Sequence, residues 1–237
     1  MLGLGVVRMR PRSLAIASAI FFLVFAFLGL AVKVLPTLVQ ADYSAALWIN
    51  GLDLGAPTSS ILVYASLFGR EYFWTAVVAL MFVLGDKRTK AVAFGLSAVL
   101  VVGIFAGEGA KALVMRERPF DYVITSLTSE ITLRVPYDST SSFPSGHALI
   151  VSIGAFYFFL TFRKKWVAAL LTIEAALVCV SRVYVGAHFP LDVVGGVALG
   201  AAIAFGGLAF GRRYVKSNVK ALARAISSAL GDGPLHL

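Results

Sequence analysis

Cysteine and histidine are scarce in this chain of 237 residues, which has one cysteine and three histidines. The single cysteine, Cys179, excludes an intrachain disulfide framework and a cysteine-based zinc site. The sequence also lacks a His-Glu-x-x-His motif, a paired aspartate motif and a Gly-x-x-x-x-Gly-Lys-Ser/Thr loop. It therefore indicates neither a metal site nor a cofactor.

Charged residues are few as well. They make up 14% of the chain, and hydrophobic residues make up 59%. Soluble domains have about 25% charged residues and roughly 45–50% apolar residues. This is the composition of a membrane protein. The net charge is +9, but the basic residues stand at the ends of apolar runs, which is typical of membrane topology and not of nucleic-acid binding.

Six apolar runs approach the length of about 20 residues that spans a bilayer core as a helix. They cover residues 13–35, 61–84, 91–115, 147–162, 166–182 and 191–210. Gly69, Arg70 and Glu71 interrupt the second run. The second span either includes these residues or starts near Tyr72. The first run exceeds the ~7–15 apolar residues of a secretory signal, so an uncleaved helix is expected. The sequence predicts one all-α integral membrane domain over residues 1–237.

Lysine and arginine set the predicted orientation. Fourteen of the 21 basic residues fall within residues 1–12, 87–90, 163–165 and 212–224. With six spans these stretches share one side, which the positive-inside rule assigns to the cytoplasm. Both termini are then cytoplasmic. The tail, 212–237, has the apolar spacing of a basic amphipathic helix on the inner leaflet, with an ordinary polar tail as the alternative.

Three short segments carry the polar residues that suggest chemistry. They run from Lys111 to Pro119, from Pro144 to His147 and from Ser181 to Asp192. The first closes the third span, the second opens the fourth, and the third joins the fifth to the sixth. All three therefore fall on the predicted extracytoplasmic face. Together they supply three cations, two histidines and one carboxylate, a set suited to histidine attack on a phosphate ester.

His188 and Asp192, four residues apart, share one helical face or the turn that enters it. A carboxylate that holds one imidazole nitrogen sets the tautomer, leaves the other nitrogen available and stabilises the cation formed on attack. His188 is therefore the candidate nucleophile and Asp192 its orienting residue. The alternative is an interfacial or pH-sensing histidine beside an unrelated aspartate.

Ser145, Gly146 and His147 stand where the fourth span begins. Ser145 is a suitable helix N-cap, and the N–H groups of a helix N-terminus bind anions. His147 would then stand beside a bound phosphate and protonate a leaving alkoxide. The alternative is a plain helix cap with a histidine at the membrane edge.

Lys111, Arg118 and Arg182 are the candidate phosphate-binding cations. Guanidinium groups hold two phosphate oxygens at once, and fixed positive charge stabilises a five-coordinate phosphorus transition state. The alternative for each is a side chain that reaches for the membrane edge. Lys111 lies inside the end of its span, where charge is costly, and Glu108 is a possible partner one turn earlier.

These spacings, in this order, resemble the three-part signature of the type 2 phosphatidic acid phosphatase (PAP2) superfamily. The matching elements are Lys111-x6-Arg118-Pro119, Pro144-Ser145-Gly146-His147 and Ser181-Arg182-x5-His188-x3-Asp192. The resemblance implies an α-helical core, metal-independent hydrolysis, a phosphohistidine intermediate on His188 and His147 as the acid. It further implies that phosphate is bound by Lys111, Arg118, Ser145, Gly146 and Arg182. It does not explain Glu108 or Glu174, and no role is assigned to Arg116.

The predicted outward-facing site favours a membrane lipid whose phosphate stays at the headgroup level. Topology and the resemblance together favour release of one phosphate from a polyprenyl pyrophosphate of undecaprenyl or dolichyl type. Three alternatives stay open: a phosphatidic acid or phosphatidylglycerophosphate phosphatase, a lipid phosphotransferase that uses the same phosphohistidine, and a membrane protein without turnover. Gly196-x3-Gly200 allows close helix packing within or between chains, so a homo-oligomer is possible but unsupported.

Overall fold

The computed structural model describes residues 9–68, 71–121, 131–136, 138–162 and 165–230, and within these ranges the chain forms eight α-helices and no strand. The helices are α1 (Pro11–Val34), α2 (Pro36–Asn50), α3 (Gly55–Phe68), α4 (Glu71–Leu84), α5 (Lys87–Val114), α6 (Gly146–Thr161), α7 (Lys165–Tyr184) and α8 (Pro190–Leu230). The all-α prediction is thus confirmed for the described part of the chain.

Local capping chemistry sets several helix boundaries. The Asp86 carboxylate accepts a hydrogen bond from the Thr89 N–H at 2.8 Å and starts α5. Ser145 is the N-cap of α6, as expected, and its Oγ accepts from the Ala148 N–H at 3.5 Å. Pro190 occupies the first position of α8, where a missing N–H costs nothing. Helices α6 and α8 therefore begin one residue before the expected starts of their spans, whereas α5 begins at Lys87, before the expected residue 91.

Four helical segments are long and apolar enough to cross a membrane. They are Pro11–Val34, Lys87–Val114, Trp166–Tyr184 and Pro190–Tyr214. Two shorter apolar helices, Phe73–Leu84 and Gly146–Thr161, coincide with further expected spans. The expected second span, 61–84, falls on both α3 and α4, in line with the polar interruption near residue 70. A total of six spans stays a prediction.

Helix α6 lies at the centre of the bundle, with eleven of its 16 residues buried against its neighbours. Helix α8 packs on it through Gly196 and Gly200. A Cβ atom at these positions would lie 2.5 Å from the Ser145 carbonyl oxygen and 2.7 Å from the Leu149 carbonyl oxygen. The close packing predicted from the Gly196-x3-Gly200 spacing therefore occurs within the chain, between two backbones.

The turn that joins α7 to α8 is held in place by α2 and by the loop after residue 130. Asn50, the last residue of α2, donates to the Thr132 carbonyl at 2.9 Å and to the Tyr184 carbonyl at 2.8 Å. Gly186 has a φ of 77°, and a Cβ there would lie 2.6 Å from the Thr132 carbonyl oxygen. Only glycine combines that backbone conformation with so close an approach. The end of the bundle at which this turn lies carries all three motif segments.

At the opposite end, the start of α1 is tied to α8, because Arg212 donates to the Met9 carbonyl at 2.8 Å. The backbone of α8 continues as a helix through the first part of the expected tail, to Leu230. Residues 231–237 and most of the N-terminal segment 1–12 lie outside the described residues. The amphipathic character of the tail and the cytoplasmic placement of both termini stay predictions.

Candidate active site

His188 lies in the turn between α7 and α8, and only 2% of its surface is exposed. Its Nδ1 is 2.9 Å from the Ser142 carbonyl oxygen. Because a carbonyl oxygen only accepts, a neutral His188 carries its proton on Nδ1 and leaves Nε2 with its lone pair. Within the described residues, the polar contacts of the His188 ring all fall on Nδ1. Nε2 is thus the atom available for chemistry.

The Asp192 carboxylate supports His188 less directly than the sequence suggested. Its Oδ2 lies 3.7 Å from Nδ1, which is an ion-pair distance and not a hydrogen bond. The same oxygen accepts a short hydrogen bond from the Ser142 hydroxyl and one of 2.9 Å from the Phe189 N–H. Ser142 therefore stands between the two residues, with its carbonyl on the imidazole and its hydroxyl on the carboxylate.

The pKa of His188 is lowered to about 4, chiefly by burial. The positive charges of Arg182 and Arg118 contribute to this lowering, while Asp192 opposes it. His188 is therefore neutral at physiological pH, which a nitrogen nucleophile requires.

Arg118 is almost fully buried and joins two parts of the site. Its Nη1 donates to the Ala187 carbonyl at 3.0 Å, directly before His188, and its Nη2 donates to an Asp138 oxygen at 2.6 Å. Burial raises the pKa of Asp138, but hydrogen bonds from Thr140 and the charge of Arg118 outweigh burial and lower it overall. Arg118 thus already binds one ionised carboxylate, that of Asp138, next to the turn that carries His188.

Lys111 stands next to the start of α6. Its Nζ would lie 3.9 Å from a Cβ atom built on Gly146, and it donates to Glu108 at 2.8 Å. The suggested pairing of Lys111 with Glu108 is therefore confirmed. His147 is the second residue of α6 and is half-buried. Arg182, near the end of α7, is buried and donates a short hydrogen bond to the Ser66 hydroxyl.

The three motif segments meet at one place in the described structure. Lys111 adjoins Gly146, Arg118 binds the carbonyl before His188, and the Ser145 N–H donates to the Asp192 carbonyl at 3.0 Å. Because the Ser145 N–H is used in this contact, only the hydroxyl proton of Ser145 is left for a ligand. Six of the eight residues singled out in the sequence are linked by these contacts. Arg182 adjoins them through its carbonyl, which accepts from the His188 N–H at 3.2 Å, and His147 adjoins them as the residue after Gly146.

Sequence reasoning missed Ser142 and Asp42, and it gave Arg116 no role. Arg116 donates to Asp192 at 2.6 Å and to Asp42 at 2.7 Å. Asp42 comes from α2, where it is the only acidic residue in the helix. That isolated carboxylate and the extra arginine between Lys111 and Arg118 were signals in the sequence, whereas Ser142 gave none.

Together these contacts define a helical membrane protein with a buried histidine among fixed cations at one end, an arrangement suited to a phosphoryl-handling enzyme. The family profile of the PAP2 superfamily matches residues 90–215, more than half of the chain. The chain belongs to the PAP2 superfamily, and it is a phosphatase of that type.

Two relatives and one solved structure show the likeness in detail. Undecaprenyl-diphosphatase from Sulfolobus acidocaldarius is 38% identical over 188 residues, which cover 78% of this chain and 87% of that protein. Phosphatidylglycerophosphatase B from Bacillus subtilis is 38% identical over 78 residues, or 29% of this chain and 38% of that protein. The crystal structure of a transmembrane PAP2 type phosphatidylglycerolphosphate phosphatase from Bacillus subtilis matches with a TM-score of 0.68 at 23% identity, covering 83% of this chain and 96% of that one.

Proposed function

We propose that this protein hydrolyses a polyprenyl pyrophosphate, of undecaprenyl or dolichyl type, to the monophosphate through a phosphohistidine on His188. The observation that carries the mechanism is the buried imidazole of His188. Its Nδ1 contacts the Ser142 carbonyl, which leaves the lone pair of Nε2 available. The choice of substrate rests on the undecaprenyl-diphosphatase of Sulfolobus acidocaldarius, which is similar over most of both chains.

In the first step, the Nε2 lone pair of His188 attacks the terminal phosphorus of the substrate. An N–P bond forms and the P–O bond to the bridging oxygen breaks, with its electron pair left on that oxygen. His147 donates a proton to the departing polyprenyl monophosphate. The positive charge that develops on the imidazole is stabilised by the Ser142 carbonyl and by the nearby Asp192 carboxylate.

In the second step, water attacks the phosphorus of the phosphohistidine. His147, now unprotonated, takes a proton from that water, and the N–P bond breaks with its electron pair returned to Nε2. Inorganic phosphate leaves, and both histidines regain their starting protonation states. Lys111, Arg118 and Arg182 balance the charge on the equatorial oxygens in both transition states.

A second candidate is a phosphatidylglycerophosphate phosphatase. It is favoured by the fold shared with the Bacillus subtilis phosphatase and by the second relative, from the same organism. Phosphatidic acid as substrate and phosphoryl transfer from His188 to an alcohol remain the further alternatives, and both would use the same site.

Phosphate release from a panel of lipid phosphates tests the proposed function. With purified protein in detergent and excess EDTA, we expect the highest kcat/KM for undecaprenyl pyrophosphate, ahead of phosphatidylglycerophosphate and phosphatidic acid. Activity should survive EDTA, since the described residues contain no group of three His, Cys, Asp or Glu side chains that could hold a metal. Loss with EDTA and recovery with Mg²⁺ or Zn²⁺ would contradict the mechanism. A phosphorylated acceptor lipid in place of free phosphate would establish a transferase.

We expect the site to open on the extracytoplasmic side, because the positive-inside rule assigns the opposite face to the cytoplasm. Single cysteines in a Cys179→Ala background test this. Ser139→Cys, exposed in the loop beside Arg118, should react with a membrane-impermeant thiol reagent added to intact cells. Arg88→Cys, exposed in the first turn of α5, should react only after the membrane is opened. The reverse pattern would place the site in the cytoplasm and favour a phospholipid phosphatase of the inner leaflet.

A further inference from the structure

Arg116 follows α5 and bridges two buried carboxylates that come from opposite ends of the sequence. Its Nη1 donates to Asp192 Oδ1 at 2.6 Å and its Nη2 donates to Asp42 Oδ2 at 2.7 Å. The three side chains are 8%, 0% and 2% exposed, respectively. Buried ion pairs of this kind are costly to assemble and more costly to break, because removal of one partner leaves an uncompensated charge. The bridge is therefore not an exposed surface ion pair, and loss of Arg116 would leave two buried carboxylates without their cation.

The guanidinium group of Arg116 has a third contact besides the two carboxylates. Its central carbon lies 4.0 Å from the centre of the Phe189 ring, directly after His188. Asp42 is fixed in turn, since its Oδ1 accepts from the Leu191 N–H at 3.0 Å. Arg116 and Asp42 therefore both contact the start of α8, which carries Asp192.

The backbone of Arg116 supports the same site. The Ser142 N–H donates to the Arg116 carbonyl at 2.8 Å, and the Arg116 N–H donates to the Ser141 hydroxyl at 3.0 Å. The carbonyl of Ser142 in turn holds Nδ1 of His188. Arg116 thus contacts both groups that support the imidazole, namely the Ser142 peptide and the Asp192 carboxylate.

The two oxygens of Asp192 have separate partners. Oδ2 faces His188 and accepts from Ser142 and Phe189, while Oδ1 takes the guanidinium of Arg116. Arg116 therefore fixes the rotation of the carboxylate and neutralises part of its charge without occupying the oxygen that faces the imidazole.

We propose that Arg116, held by Asp42, is a positioning residue for the hydrolysis, which fixes the Asp192 carboxylate and limits how much of its negative charge acts on His188. This inference rests on the function proposed above. The motif resemblance assigns no role to Arg116, and Asp42 lies outside all three motif segments.

A pH profile distinguishes this role from a merely structural one. The charged groups that act on His188 are Asp192 from α8, Arg182 from α7 and Arg118 from the segment after α5. Arg116 and Asp42 lie behind them, in contact with Asp192 and with each other. In Arg116→Gln, more of the Asp192 charge acts on His188, which favours its protonated form. The acid limb of kcat/KM should therefore move to higher pH than in the wild-type enzyme. In Asp42→Asn it should stay in place or move to lower pH.

We expect Arg116→Gln to lower kcat about 100-fold with KM nearly unchanged, because the residue orients catalytic groups and does not bind the substrate. Arg116→Lys keeps the charge but loses the second hydrogen bond, so it should keep the wild-type acid limb at a reduced kcat. The double variant Arg116→Gln/Asp42→Asn restores the charge balance. Its acid limb should return to the wild-type position while kcat stays low.

Arg212→Gln is the matched control. Its guanidinium also donates to a backbone carbonyl, that of Met9 at 2.8 Å, but at the end of the bundle opposite the site. We expect its kcat and pH profile to equal those of the wild-type enzyme. Size-exclusion chromatography in detergent confirms that each variant is folded before its kinetics are compared.

Wild-type kcat and an unshifted acid limb in folded Arg116→Gln would overturn the proposal. If that variant does not fold, Arg116→Lys decides, because wild-type kcat in folded Arg116→Lys would show that the paired contacts of the guanidinium do not position Asp192. Trapping of the phosphoenzyme on each variant separates the two hypotheses. Phosphate found on a residue other than His188 refutes the proposed function itself, whereas phosphate on His188 with unchanged Arg116→Gln kinetics refutes only the positioning role.

Discussion

Replacement of His188 by alanine should abolish turnover and remove the acid-labile phosphate from enzyme quenched during reaction with ³²P-labelled substrate. The reason is positional: in the described structure Nε2 of His188 is a buried imidazole nitrogen with its lone pair available, beside Arg118 and Arg182. Loss of a covalent nucleophile costs on the order of 10⁴-fold or more in kcat. The measurement is phosphate release together with ³²P retained on the protein.

His147→Ala is the control for this experiment. It removes the proposed acid and base but keeps the nucleophile, so it should turn over slowly and still take up label on His188. Label retained on the His188→Ala protein would refute the assignment of the nucleophile. Because burial lowers the pKa of His188 to about 4, wild-type labelling should persist well below neutral pH, where an ordinary histidine is already protonated.

Asp192→Asn should lower kcat on the order of 10³-fold, which is less than the loss of about 10⁴-fold found where a carboxylate alone sets the histidine tautomer. The structural reason is that the Ser142 carbonyl, at 2.9 Å, holds Nδ1 of His188 even without Asp192. What the substitution removes is the negative charge, 3.7 Å from Nδ1, that stabilises the imidazolium. Binding of vanadate should be nearly unchanged, since both oxygens of the Asp192 carboxylate are held by protein groups.

Ser142→Ala is the companion to Asp192→Asn, because it removes the hydroxyl from the carboxylate while the Ser142 carbonyl stays in place. A loss of about 10-fold in kcat is expected for one buried hydrogen bond. If Asp192→Asn loses no more activity than Ser142→Ala, the charge of Asp192 is not part of the mechanism, and the carbonyl alone orients His188.

Local sequence features predicted much of the fold and the membership of the site. Runs of apolar residues indicated the four long helices that suit a membrane span, and Ser145 was recognised as a cap. The Gly196-x3-Gly200 spacing indicated close helix packing within or between chains, but it did not identify α6 as the partner. The apolar runs, the cap and the glycine spacing depend on neighbours within a few turns of helix, so a sequence pattern records them.

The residues that support the catalytic carboxylate were not predictable in the same way. Asp42 and Arg116 meet across 74 positions of the sequence, Arg116 and Asp192 across 76, and Ser142 and Asp192 across 50. No local periodicity encodes such contacts, which arise only when α2, α5, α6 and α8 are packed. For the same reason the sequence suggested that the imidazole of His188 donates directly to Asp192, where the structure places Ser142 between them.

The glycines of this bundle have a practical consequence for anyone who wishes to stabilise the protein for crystallisation. At Gly196 and Gly200 a methyl group would push α8 away from the α6 backbone and displace the catalytic turn, so these positions should be excluded from stabilising libraries. Gly109 in α5 and Gly211 in α8 have no neighbouring atom within 4 Å of a Cβ. Alanine in a helix interior is favoured over glycine by roughly 0.5–1 kcal/mol. Thermostabilisation can therefore begin at these two sites without altering the interface on which the chemistry depends.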